Sequence, residues 1–187
     1  MPKLVLKRFQ CVVDTDESGG ESPYFITWVG DIVKSESSLR LTRKAYWNNN
    51  VDMGPGAWPV DDTVCTGLTL KPSDTLALAV MVEKDEGLDI VTSELETIRS
   101  SMATVLETHR RAGFAAGDAN FINTMKNTLE SKVSAALQSS AGADDDLMKE
   151  DNYRAARRIT LTGKAEELAV VTFKGGCGQY NVRFAQA

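Results

Sequence analysis

Residues 85–151 constrain the fold more than any other stretch of the chain. The segment opens on the acidic turn KDEGLD and closes on another, DDDLMKED. Between them lie two runs of apolar residues at helical spacing, joined by the short connection RAGFAAGDA. In the first run Val91, Leu95, Ile98, Met102, Val105 and His109 fall three and four apart, which makes one narrow seam on a helix. Arg110 and Arg111 suit its last turn, where the helix dipole favours cations, and Gly113 suits the position just beyond. Asp118 is an N-cap for the second run, whose seam is Phe121, Ile122, Met125, Leu129, Val133, Ala136 and Leu137. Two helices with matching seams and a short connection pack antiparallel. Strand patterns lie on either side, so the segment reads as a helical hairpin carried in one loop of a β domain, protruding above its base.

The strand patterns are these. Residues 4–13 alternate, with Val5, Phe9, Cys11 and Val13 on one face, and the turn DTDESGGESP ends them. Residues 24–29, YFITWV, are aromatic and β-branched. Residues 39–47 form a more polar third strand that carries Arg40, Arg43 and Lys44. The loop NNNVDMGPGAWPVDD follows, flanked by Trp47 and Trp58, and loops of that length are often functional. Residues 64–70 and 76–83 are the fourth and fifth strands. In the fifth, Leu76, Leu78, Val80 and Val82 take one face and Ala77, Ala79 and Met81 the other, so a central, buried strand is expected. Residues 157–162, 168–174 and 179–185 complete the set, with KGGCG as a hairpin turn. The expected fold is mainly β: an eight-stranded antiparallel sandwich from residues 1–84 and 152–187. The two-helix hairpin of residues 85–151 is inserted between strands five and six.

Antiparallel neighbours alternate in direction, so the first, third and fifth connections should emerge at one end of such a sandwich. Those connections hold most of the acid: Asp14, Asp16, Glu17, Glu21, Asp61, Asp62, Asp85, Glu86, Asp89, Asp144, Asp145 and Asp146. Carboxylates gathered in this way either form solvated turns or cradle a divalent cation that relieves their repulsion.

Composition excludes several classes. A net charge of -5 argues against a nucleic-acid binder, which needs a basic balance to neutralise phosphates. The opening residues MPKLVLKRFQCVV alternate like a strand and lack the apolar core and cleavage site of a signal peptide. The protein is therefore expected in the cytoplasm, or exported by a route the N-terminus does not encode. Three widely spaced cysteines, Cys11, Cys65 and Cys177, fit reduced, buried thiols better than a disulfide framework. His109 is the single histidine, and it sits on a helical seam with no nucleophile near it in sequence. There is no HExxH pattern and no phosphate-cradling glycine loop between a strand and a helix. An enzyme is not expected.

The segments GGESPYFITWVG, LALAVMVEKDEG and DDDLMKE resemble C2 domains, the calcium- and lipid-binding β-sandwich family, in the strand order that begins one strand later in its circular permutation. The first looks like that family's SDPYVxV loop-to-strand run, and the other two look like a strand and third loop, here split by the hairpin. The resemblance implies calcium as cofactor. Its ligands would be Asp14 or Asp16 from the first loop, and Glu83, Asp85, Asp145 and Asp146 from the third. Ser22 stands where the family carries an aspartate, which removes one carboxylate from the set.

The function expected is a non-enzymatic binding module that attaches to a membrane surface or a protein partner through the acidic end, with calcium assisting. Trp47, Trp58 and Phe114, the last at the hairpin tip, are the candidate contact residues. Arg40, Arg43 and Lys44, with Arg154, Arg157 and Arg158, are a candidate patch for phosphoinositide or another anion. The alternative is a structural or assembly protein, or a pore-forming, toxin-like one, whose hairpin mediates oligomerisation.

Overall fold

The computed structural model describes residues 1–13, 23–42, 56–83, 90–140, 146–148, 154–168, 170–175 and 178–187, some of them by backbone alone. Among these the strands and helices run β1 (Lys3–Val13), β2 (Tyr24–Asp31), β3 (Glu36–Thr42), β4 (Gly56–Thr66), β5 (Thr75–Glu83), α1 (Thr92–Arg111), α2 (Ala119–Ser140), β6 (Asp146–Leu147), β7 (Arg157–Ile159), β8 (Glu166–Glu167), β9 (Val171–Gly175) and β10 (Gly178–Gln186). The fold is mainly β, and both helices lie between β5 and β6 as the apolar spacing requires.

Two antiparallel sheets form. Sheet A has the order β4-β1-β10-β8 with β9 also on β10, and sheet B has the order β3-β2-β5-β6 with β7 also on β5. They stack face to face through aromatic rings. Phe25 of β2 lies 5.7 Å from Phe9 of β1 and 6.2 Å from Phe173 of β9, centroid to centroid.

Sheet B is buried on both sides. Every residue of β2 is buried. Register pairs Phe25 with Met81, Thr27 with Ala79 and Val29 with Ala77, which is the face turned to sheet A. Tyr24, Ile26 and Trp28 pair with Val82, Val80 and Leu78 on the opposite face, and all six are almost wholly buried. The helices cover that face, α1 packing on β3 and α2 on β5. One continuous core runs from Leu6 and Phe184 of sheet A, through sheet B, to Ile98, Met102, Phe121, Met125 and Leu129 of the helices. The hairpin therefore lies flat against the sheet as a third layer. It does not protrude with its seams closed only on each other.

Several bounds differ from the sequence expectation. The third strand is Glu36–Thr42 and not residues 39–47. The fourth is Gly56–Thr66 and not residues 64–70, so part of the presumed long loop is strand. Register shifts on both sides of β1 between Leu6 and Arg8 mark bulges there. The shift lets Leu4, Leu6 and Phe9 all be fully buried, in place of the simple alternation through Val5 and Phe9. Asp61 of β4 takes φ 53° at this irregularity, and Lys7 Nζ donates to its carboxylate at 2.6 Å. The two-residue strands β6 and β8 were too short for any periodicity to reveal.

The hairpin is capped much as its sequence predicts. Asp118 Oδ1 accepts from Asn120 N at 2.8 Å and Phe121 N at 3.1 Å. Gly113 takes φ 79° after α1. Glu94 accepts from Val91 N at 3.1 Å and from Ser139 Oγ, which ties the start of α1 to the end of α2. The outward faces are weaker helix formers. Thr97, Ser101, Thr104, Thr108, Thr124 and Thr128 each donate to the carbonyl four residues earlier, which competes with the helix ladder. Tertiary packing on sheet B, more than propensity, holds these helices.

A polar tether adds to that packing. Ser35, held at φ 58° in the β2–β3 turn, donates from Oγ to Glu107 of α1 at 2.6 Å. Arg110 and Arg111 donate to the same carboxylate at 2.6 to 2.8 Å. These donors, the Arg110 guanidinium first and the Ser35 hydroxyl next, hold the Glu107 carboxyl far below its ordinary pKa.

Three outcomes follow from this layering. A chain in which a glycine-serine linker replaces residues 92–140 should show no cooperative thermal transition, because one face of β2 and β5 would be open to water; circular dichroism melting checks it. Gly30→Ala should destabilise by about 1–3 kcal/mol in denaturant titration, since a Cβ there would sit 2.3 Å from the buried Trp28 ring. Glu107→Gln should lower the melting temperature at neutral pH. A depressed carboxyl pKa gives stability that is full above the ordinary glutamate pKa and is lost as pH falls towards the folded value. The gap between variant and native melting curves should accordingly close in acid.

Candidate functional site

Strand register gathers one set of chain ends at a single pole. In sheet A, Cys11 near the end of β1 pairs with Gly56 at the start of β4, and Val13 pairs with Gln179 near the start of β10. In sheet B, Tyr24 at the start of β2 pairs with Val82 near the end of β5, and Phe25 pairs with Thr42 at the end of β3. Connections 14–22, 43–55 and 84–89 all leave from this pole, as alternation of strand direction requires. Glu83 and Asp146 occupy directly paired positions on β5 and β6 there. Two of the candidate calcium ligands are thus brought together by backbone register. Asp14, Asp16, Asp85 and Asp145 lie outside the described residues, as do the side chains of Glu83 and Asp146. Among the described residues no group of three or more His, Cys, Asp or Glu side chains could hold a metal ion.

Asp61 and Asp62 do not belong to that pole. They sit inside β4, Asp62 opposite Leu6, and each is engaged by a cation, Lys7 on Asp61 and Arg40 on Asp62 at 3.7 Å. Arg40 thereby bridges the β3 edge of sheet B to β4 of sheet A. Arg43, Lys44 and Trp47 lie outside the described residues. Trp58 is in β4 paired with Phe9, inside a strand and not on a loop, and nothing of its side chain is described. Phe114 is half-buried on the core, with its ring 5.1 Å from that of His109. The His109 ring also lies 5.2 Å from that of Phe121, tilted by 45°, and its Nδ1 lies 2.9 Å from the Val105 carbonyl oxygen.

The two halves of the candidate basic patch separate. Arg40 is on β3 and Arg157 and Arg158 are on β7, at opposite edges of sheet B. The second half acquires a member that the sequence did not indicate. Glu130 of α2 accepts from Ala156 N at 2.8 Å, which pins the segment carrying Arg154, Arg157 and Arg158 alongside α2. Lys126, one turn before Glu130, lies half-buried beside it. Burial, then the positive charges of Arg157, Arg154 and Arg158, push its pKa below the ordinary lysine range, with Glu130 opposing. The sequence signal was faint: a Lys-Glu pair four apart on a helix face, which normally reads as solvent surface.

Two other features are chemically quiet. Cys65 is a free, buried thiol, pushed up to about 11 by burial, so it stays protonated and unreactive. An open groove on the outer face of sheet A is lined by Lys7, Arg8, Asp61, Glu166, Glu167 and Gln186 among others. Its charges are met internally: Glu167 takes Arg183 at 3.0 Å and Arg8 at 3.7 Å. Among the described residues no helix is long and apolar enough to cross a membrane. Compared with known proteins, the chain matches no family model, no curated protein and no solved structure.

Proposed function

We propose that the chain is a non-enzymatic binding module that attaches to an anionic membrane surface through its acidic pole, with calcium between the carboxylates and the lipid. The body is then an eight-stranded C2-like sandwich formed by β1 to β5, β7, β9 and β10. One observation carries the reading: strand register anchors the acidic connections 14–22 and 84–89 at one pole and sets Glu83 opposite Asp146. Calcium takes six to eight oxygen ligands, and each added carboxylate raises affinity. Asp14, Asp16, Asp85 and Asp145 enter the chain within a few residues of those strand ends, so the ligand count is within reach even with Ser22 in place of an aspartate. A negative pole meets anionic lipid only when a cation neutralises it first.

The alternative, an assembly or pore-forming protein that works through its hairpin, draws less support. It requires free apolar seams, and Ile98, Met102, Leu106, Phe121, Met125, Leu129 and Val133 are spent in the protein's own core.

Calcium at a hundredfold excess over its dissociation constant should raise the melting temperature by roughly 5–10 °C, and magnesium at the same concentration should raise it less. Asp85→Asn and Asp145→Asn should each abolish most of that shift. Vesicles of phosphatidylserine should pellet the protein with calcium and not with chelator. No calcium shift together with no pelleting removes the proposal; a calcium shift without pelleting transfers the pole to a protein partner.

A further inference from the structure

The edge of sheet B where α2 meets β7 lies outside the pole and is unused by that reading. Arg157 and Arg158 pair with Ala79 and Leu78, four and five residues from Glu83 at the polar end of β5. At about 3.3 Å per residue the cluster is roughly 13–17 Å along the strand from Glu83.

Its charge is unbalanced among the described residues. Among the described residues Arg8, Arg40, Arg99, Arg110, Arg111 and Arg183 each have a carboxylate within 4.0 Å. Lys126, Arg154 and Arg158 form no such ion pair among the described residues. Among the described residues the carboxylate beside them is Glu130, which already uses Oε1 on the Ala156 amide. Tertiary structure imposes this arrangement. The amide bond to Glu130 fixes Ala156, and Arg154 and Arg158 flank it two residues to either side. Antiparallel pairing of Arg158 with Leu78 fixes the second of them. Positions held in this way lose little freedom when a ligand arrives. Exposed guanidinium groups offer planar forks that match phosphate oxygens, and the ammonium adds a point charge.

We infer that Lys126, Arg154 and Arg158, arranged around the Glu130–Ala156 hydrogen bond, form a binding site for a phosphomonoester-type anion. A dianion suits it best, because among the described residues three cations stand against one carboxylate. The ligand's phosphate can belong to a soluble ester or to a phosphoinositide headgroup, which share the chemistry that this site reads.

The full chain, kept in chelator so that the acidic pole takes no part, is titrated with inorganic phosphate and with inositol trisphosphate against chloride at equal ionic strength. Both phosphates should raise the melting temperature beyond the chloride control. In R154Q/R158Q the affinity for inositol trisphosphate should fall by tenfold or more, at about tenfold for each charge-assisted contact removed. Without anion the double variant should melt at or slightly above the native temperature, since like-charge repulsion is relieved; a structural role for these arginines would lower it. Phosphatidylcholine vesicles with and without phosphatidylinositol bisphosphate separate the sources. Binding to the doped vesicles identifies a headgroup site, and binding of the soluble ester alone identifies a free phosphate ester. Should the double variant not fold, R158Q, whose side chain is exposed, carries the same comparison. A phosphate effect no larger than that of chloride, or one undiminished in the variant, overturns the inference.

Discussion

The apolar character of both faces of β2 and β5 is the constraint on which the rest depends. A sheet with one apolar face needs one cover; this one needs two. Sheet A covers the side of Phe25, Ala79 and Met81, and the helices cover the side of Ile26, Trp28, Leu78 and Val80. At about 25 cal/mol per Å² of apolar surface removed from water, an uncovered face of seven or eight such residues would cost more than a domain of this size has to spare. The hairpin is thus a structural layer, and its position in the chain follows from β5 delivering it directly above the face it must bury.

Much of this was legible in the sequence. The two-sided apolar pattern of residues 76–83 marks a central strand, and β5 indeed lies between β2 and the pair β6 and β7. The helix ends were readable because capping is local: Asp118 and Gly113 act through bonds and dihedrals within a few residues. What covers the second face was not readable. Narrow seams at three-four spacing fit a partner helix and a sheet equally well, and only the presence of an uncovered sheet face decides between them. The buried seam of α1 takes in Leu106, because it follows the sheet surface as well as α2, while His109 lies half-buried against Phe114 and Phe121.

The ends of β3 and β4 and the phase of β1 were hidden for a different reason. Paired bulges at Lys7–Arg8 and around Asp61 insert residues that break the two-residue period, so that Leu4, Leu6 and Phe9 face inward together. A pattern of Pro, Val, Asp and Asp reads as loop, yet it continues as strand because Asp61 takes a left-handed dihedral and its carboxylate finds Lys7 across the sheet. Register shifts of this kind come from the partner strands and leave no periodic trace. The grouping of Lys126 with Arg154 and Arg158 is hidden in the same way, since it depends on β7 returning beside α2.

The two poles are finished differently, and this bears on where contacts with other molecules can form. Away from the acid, buried Asp31 accepts from Val33 N and Lys34 N at 3.0 Å and from Thr69 Oγ1 at 2.8 Å. Buried Gln186 accepts from Thr162 N at 2.7 Å and Gly163 N at 3.2 Å, and donates to the Leu70 carbonyl at 3.2 Å. Those side chains satisfy the turn backbones of that pole from within and leave few polar groups for a ligand. Leu70, at φ 52°, is held in an unfavourable dihedral by the same network. The closed pole therefore serves stability. The β7 edge carries charge that ion pairs among the described residues do not balance, and unbalanced charge on a fixed scaffold is what a charged ligand or surface can use.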